Sequence, residues 1–146
     1  MILKNTSSFL TAEVRQLVTF ALRNMDTRKL AVHVKNSRNA YGGRAYKRVP
    51  YMSKSYGKAK ELITVRIGKP DKFPTTNKLR DRDYGYGGKG SPIITYGTWQ
   101  EAMIGVTAHE GHHIVQFRHN WPLSEVECEK VAAKRLEEWK NTHERN

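Results

Sequence analysis

Apolar residues recur along this chain with two different periods, and each change of period marks an element. Val14, Leu17, Val18, Ala21, Leu22 and Met25 follow the i, i+3, i+4 spacing of a helix laid on a core. Thr11 is its expected N-cap, and Asn24-Met-Asp-Thr27 reads as its stop. Leu30, Val32 and Val34 then alternate with Ala31, His33 and Lys35, the pattern of a half-buried strand that leaves His33 on the solvated face. Asn36 to Gly43 reads as a turn, and Arg44 to Met52 as a second strand kept to an edge by Pro50. Glu61 to Ile67 is the clearest strand, with Ile63, Val65 and Ile67 on one face. Gly68 to Gly90 carries no period. A stretch of that length inside a small domain is usually functional, and here it is expected to form a flap or rim beside a cleft. Pro92 to Gly97 reads as a short strand leading into the next helix.

That helix is announced by Thr98-Trp-Gln-Glu101, a capping box, and should run from Trp99 to about Phe117 or Arg118. Ala102, Met103, Ile104, Val106, Ala108, Ile114, Val115 and Phe117 leave little of its surface polar, as in a buried central element. Asn120-Trp-Pro122 turns the chain. Ser124-Glu-Val-Glu127 is a second capping box, opening a last helix that continues towards Trp139 before Asn141 to Asn146 fray. The predicted class is α+β: one domain over residues 1–146, with a small mixed or antiparallel sheet packed on three helices. A lobe of residues 1–97 precedes the pair of helices in 98–141.

Length and mean hydropathy (146 residues, −0.72) fit one soluble domain. The absence of a signal-peptide pattern at the start and the lone Cys128 make a reducing, cytoplasmic location the expectation. Charge changes the picture more. Residues 1–100 carry a net +14 and residues 101–146 a net −2, with no acidic residue between Asp26 and Glu61. In that stretch Tyr41, Tyr46, Tyr51 and Tyr56 interleave with arginines and lysines. Such a surface can stack bases and neutralise phosphates, which makes nucleic acid a candidate partner for the basic lobe; the plainer account is that tyrosine is a good strand residue with a polar tip.

The candidate chemistry lies in the central helix. His109-Glu110-Gly-His-His113 is an H-E-x-x-H pattern: two histidines four residues apart share a helical face and can hold one metal ion. Glu110 lies about 100° further round, placed to act as a general base at that ion's edge. A catalytic zinc takes three protein ligands and keeps one open position. Two residues compete for the third place. His119 has the spacing of H-E-x-x-H-x-x-G-x-x-H, with Gln116 standing in the glycine's position. On the last helix, at about 100° per residue, Glu125 and Glu129 share the apolar stripe of Cys128, Ala132, Leu136 and Trp139, whereas Glu127 faces water. Two carboxylates aimed into a core need a cation to receive them. Glu125 can ligate, and Glu129 can accept the free ring N–H of a ligand histidine. His112 reads as a flanking residue, Cys128 as a small buried apolar group, and His143 as a tail residue without a partner.

His109-Glu-Gly-His-His113 followed by Glu125-Val-Glu-Cys-Glu129 resembles the gluzincin branch of the zincin metallopeptidases over residues 91–140. Cys128 and Glu129 stand where that pattern has alanine and aspartate. The resemblance implies a zincin-like fold and one zinc on His109, His113 and Glu125. It also implies peptide hydrolysis with Glu110 as base, and an edge strand, here Pro92 to Gly97, along which the substrate lies. Tyr96, His119, Tyr84 and Tyr86 are the candidates for a second oxyanion donor. The rival expectation is a basic nucleic-acid-binding protein whose zinc is structural or vestigial.

Overall fold

Strong strand formers alternating with small or polar residues build one four-stranded sheet, and three helices cover a single face of it. The computed structural model describes residues 1–50 and 54–143. In chain order these are β1 (Ile2–Asn5), α1 (Thr11–Ala21), β2 (Leu30–Asn36), β3 (Tyr41–Tyr46), β4 (Glu61–Ile67), β5 (Thr75–Thr76), β6 (Thr95–Tyr96), α2 (Trp99–His119) and α3 (Glu125–His143). The sheet order is β1-β2-β4-β3, with β1, β2 and β4 parallel and β3 antiparallel at the edge beside β4. The class is therefore α+β with a mixed sheet, as the pattern predicts. Among the described residues, no helix is long and apolar enough to cross a membrane.

Register sets the two faces. Val32 pairs with Ile63, Val34 with Val65, Gly43 with Val65 and Tyr41 with Ile67. Leu30, Val32, Val34, Ile63, Val65 and Ile67 are fully buried against the helices. Burial of each such side chain contributes roughly 1.5–3 kcal/mol. On the opposite face, Ala31, Tyr56 and Leu62 form a smaller buried cluster.

The central helix α2 is enclosed on all sides: α1, α3 and the sheet all pack on it, and fourteen of its residues from Glu101 to Gln116 are buried. Thr98 caps its start by accepting from the Glu101 N–H at 3.3 Å. Asn120, at φ 54°, ends it in the left-handed conformation. Ser124 likewise accepts from the Glu127 N–H at the start of α3. Arg135 ties α3 to α1 by donating to the carbonyls of Phe20, Ala21 and Arg23 at 2.9–3.3 Å, groups a helix end leaves unsatisfied.

Several local expectations need correction. Thr11 is the first helical residue rather than the cap, and its Oγ1 instead accepts from Asn5. β1 carries too little apolar alternation to be read in advance, yet it pairs along its whole length with β2. The second strand begins at Tyr41, within the expected turn, because Gly42 and Gly43 are strand residues opposite Arg66 and Val65. It ends at Tyr46; Tyr51 and Met52, assigned to it from sequence, lie outside the described residues. His33 faces outward but is 7 % exposed, held between Thr6 Oγ1 (2.9 Å) and the Tyr56 hydroxyl (2.7 Å). Helix α3 continues through His143, whose ring stacks on Trp139. The residues beyond it lie outside the described part.

Pro92 to Gly97 is the largest departure. Only Thr95 and Tyr96 are strand, and they pair with Thr75 and Thr76 of β5, not with the main sheet. The edge strand beside α2 is β3 instead.

Candidate metal centre

Helical spacing brings His109 and His113 to one face of α2, and the turn at Asn120 folds α3 back across that face. Glu125, the first residue of α3, meets both imidazoles there: its carboxylate oxygens lie 2.8 Å from His109 Nε2 and 2.9 Å from His113 Nε2. The two other ring nitrogens are already engaged. His109 Nδ1 is 2.6 Å from Glu129 Oε1, and His113 Nδ1 is 2.9 Å from Gln116 Oε1.

Both arrangements orient the rings from behind. Gln116 is fully buried, and its amide can be assigned from its surroundings. Its Oε1 faces the Ser124 N–H (3.4 Å), while its Nε2 faces the Ser124 carbonyl and the Glu127 carboxylate (both 3.3 Å). The oxygen side therefore meets His113, whose Nδ1–H donates to it, and Nε2 is the nitrogen left to face Glu125. Glu129, 6 % exposed, holds His109 the same way. Its second oxygen accepts a short hydrogen bond from Asn77 Nδ2, and Asn77 is fixed in turn by the Ile94 N–H (2.6 Å) and the Pro92 carbonyl (3.1 Å). A carboxylate or amide behind each ligand imidazole is the usual support of a metal site.

Electrostatics follow from this crowding. Burial works to lower the His109 pKa, but its bond to Glu129 and the nearby Glu110, Glu129 and Glu125 outweigh that and raise it. Burial raises the Glu110 carboxyl above its ordinary value, with His109 and His113 pulling the other way. Glu110 is 6 % exposed; its Oε1 stands 3.8 Å from His109 Nε2, and its Oε2 has no hydrogen-bond partner. A buried carboxylate oxygen without a partner costs on the order of 1–3 kcal/mol.

A cleft of about 590 Å³ opens over these groups. Strand β3 forms one wall (Tyr41 to Ala45), with Thr76, Asn77, Lys78 and Tyr86 along the rim and Val106, Phe117 and Leu123 as apolar lining. Gly43 lets the wall approach: a Cβ there would stand 2.7 Å from Val106 Cγ1 and 2.9 Å from Glu110 Cγ. The irregular stretch before α2 does border the cleft. Tyr86 is half exposed with its ring 6.1 Å from that of His109, and Gly87, at φ 105°, packs against Glu125.

The structure thus brings His109, Glu110, His113, Glu125 and Glu129 together. It does not bring His119, which is exposed at the end of α2 and stacked on Trp121 at 4.4 Å. Glu127 is exposed, as its helix position requires, and His112 lies 3.8 Å from it. Tyr96, one of the candidate oxyanion donors, is 2 % exposed, with its hydroxyl packed where a Cβ on Gly105 would be. Asn77 and Gln116 were not anticipated. The position of Gln116 inside the motif was a signal; Asn77, 52 residues from Glu129, had none.

Cys128, read as a small buried apolar residue, is indeed buried. Donor atoms of His109, His113 and Cys128 nevertheless lie within 4.8 Å of one another, so this buried trio can hold a metal ion. Against that use, burial and the carboxylates of Glu125, Glu110, Glu127 and Glu129 push the thiol well up, and Sγ points at Gln116 Oε1 (3.7 Å). A metal prefers the thiolate. The Nε2 atoms converge instead on the Glu125 carboxylate. No protein-family model, curated protein or solved structure matches the chain.

Proposed function

We propose that this chain is a zinc-dependent metallopeptidase of the gluzincin kind, with zinc on His109, His113 and Glu125. The observation that carries the proposal is the convergence of two imidazole Nε2 atoms on one carboxylate, with the partnerless Glu110 oxygen beside them. Two imidazoles and one carboxylate, each ring held from behind, form a donor set that suits zinc and leaves a position free. When bound, zinc supplies a Lewis acid that makes water more acidic and polarises a carbonyl.

The protein's own groups do the rest. Glu110 is positioned to take the proton of an attacking water and deliver it to the departing amine, and its raised pKa suits it to both tasks. The free edge of β3 offers main-chain groups to an extended peptide along the cleft, and Gly43 keeps that edge close to Glu110. Tyr86, at the rim with its ring 6.1 Å from that of His109, offers a hydroxyl to developing negative charge on the substrate.

The test is zinc content measured alongside cleavage of a protein or peptide mixture. The wild type should hold about one zinc per chain. Glu110→Gln should retain that zinc and lose roughly 10²–10⁴ in activity. Glu125→Ala should lose zinc while Cys128→Ala keeps it. Zinc loss in Cys128→Ala alone would transfer the site to the other donor set, and full activity in Glu110→Gln would remove the catalytic reading.

A further inference from the structure

The sheet carries helices on one face only, and its outer face is cationic in a way the metal centre does not use. Lys4 of β1, Lys35 of β2, Arg66 of β4 and Arg44 of β3 all project from it, and strand register fixes how they meet. Lys35 stands directly opposite Arg66, Arg66 opposite Gly42, and Arg44 opposite Thr64. Like charges placed opposite each other on adjacent strands oppose folding. A concavity of about 700 Å³ on this face is lined by Lys35, Arg38, Arg44 and Arg66, with no acidic residue in its lining. Among the described residues, none of these four cations forms an ion pair. The two acids that bound the acid-free stretch are taken elsewhere, Asp26 by Arg28 and Glu61 by Arg118. The guanidinium of Arg44 lies over the half-buried ring of Tyr46, 5.0 Å from its centroid, so a planar cation and an aromatic sit side by side at the margin of the groove.

We infer that this outer sheet face binds single-stranded nucleic acid, its groove of Lys35, Arg38, Arg44 and Arg66 taking successive backbone phosphates. Charge complementarity carries the inference. An uncompensated Lys35–Arg66 pair is relieved by phosphate bound between its members, and arginine's fork matches phosphate oxygens two at a time. The Arg44–Tyr46 pair favours a strand with unpaired bases, which stack on such planes whatever their sequence. The site stands apart from the metallopeptidase reading, although both use β3: Tyr41 to Arg44 line the cleft and the groove alike.

The experiment is a fluorescence-anisotropy titration of the full chain with a labelled oligothymidylate of about 20 nucleotides. Four phosphate contacts predict that log affinity falls with log salt at a slope of about −3. Arg66→Glu should weaken binding at least about tenfold and shorten the slope by about 0.7. The same substitution gives Lys35 a partner, so the melting temperature should hold or rise, which separates lost binding from lost fold. Lys134→Glu, on exposed α3, should bind as the wild type does. Three results would each overturn the inference: no binding at low salt, equal weakening by Lys134→Glu, or displacement of the oligonucleotide by polyglutamate of equal charge. The last would point to an acidic polypeptide as the partner.

Discussion

Gln116 shows how much a single residue can decide. Its amide has one orientation that satisfies Ser124 and Glu127, and that orientation dictates which nitrogen of His113 is free to ligate. Gln116→Leu keeps the bulk and removes the acceptor, so zinc affinity measured by chelator competition should weaken roughly 10–100-fold. Glu127→Ala removes one contact on that amide and leaves both Ser124 contacts in place, so zinc affinity should change far less than in Gln116→Leu, at a cost of about 1 kcal/mol or less in denaturant unfolding. His33 gives a residue-scale prediction for pH. Burial, with Lys35, Lys4 and Arg66 adding to it, lowers its pKa from 6.5 to about 4. Above pH 6.5 both folded and unfolded chains hold it neutral. Between 6.5 and 4 only the unfolded chain takes up the proton, so stability falls with falling pH across that window. Between pH 7 and pH 5 the loss should be about 2 kcal/mol. The same pH comparison on His33→Gln should show that much less, and an equal loss in both proteins would reject the assignment. Glu125 and Glu129 could be picked out from sequence because helical spacing alone puts them on an apolar stripe. Gln116 was seen only as the absence of a glycine, since its role depends on a helix that begins beyond the next turn.

At the scale of elements, the two strands that border α2 exchange the roles their sequences suggest. Pro92 to Gly97 has the apolar character of a strand next to the motif, yet among the described residues it pairs through the short ladder with β5 alone. β3, rich in glycine and charge, is the edge that lines the cleft. Strand propensity reports how a side chain fits a pleated surface. Glycine scores poorly there but is required where a backbone must come within contact distance of a helix, as at Gly43. Gly43→Ala should therefore push β3 away from Val106 and Glu110, with zinc retained and peptidase activity reduced more than stability. Equal activity in that variant would remove β3 as the substrate-facing edge. The starts of the helices, by contrast, were legible to within a residue, while α1 ends at Ala21, short of the expected stop, and α3 runs on to His143. Their capping boxes are local signals, and the Thr98 and Ser124 caps form as those signals require. Arg135 was not legible, because its partners are α1 carbonyls more than a hundred residues away. Arg135→Ala should destabilise the fold by roughly 1.5–3 kcal/mol, the usual value of hydrogen bonds from a charged donor.

Across the whole molecule, Lys4, Lys35, Arg44 and Arg66 lie on the helix-free face of the sheet, and the histidine–carboxylate cluster lies between β3 and α3. The enclosure of α2 has a consequence for how the chain opens. His109 to His113 sit at the middle of a helix with α1, α3 and the sheet around it, far from either fraying end. Their backbone can be exposed to solvent only when most of the core separates. Amide protons of Ile104 to Glu110 should therefore exchange with deuterium at the rate set by global unfolding, while those of the 84–90 loop exchange through small local openings. Zinc, bound to the folded chain alone, should slow the first group uniformly, by about 2.7 kcal/mol at a hundredfold excess over its dissociation constant. A chain built this way would register its ion as one cooperative event, with the ligand helix unable to melt by itself.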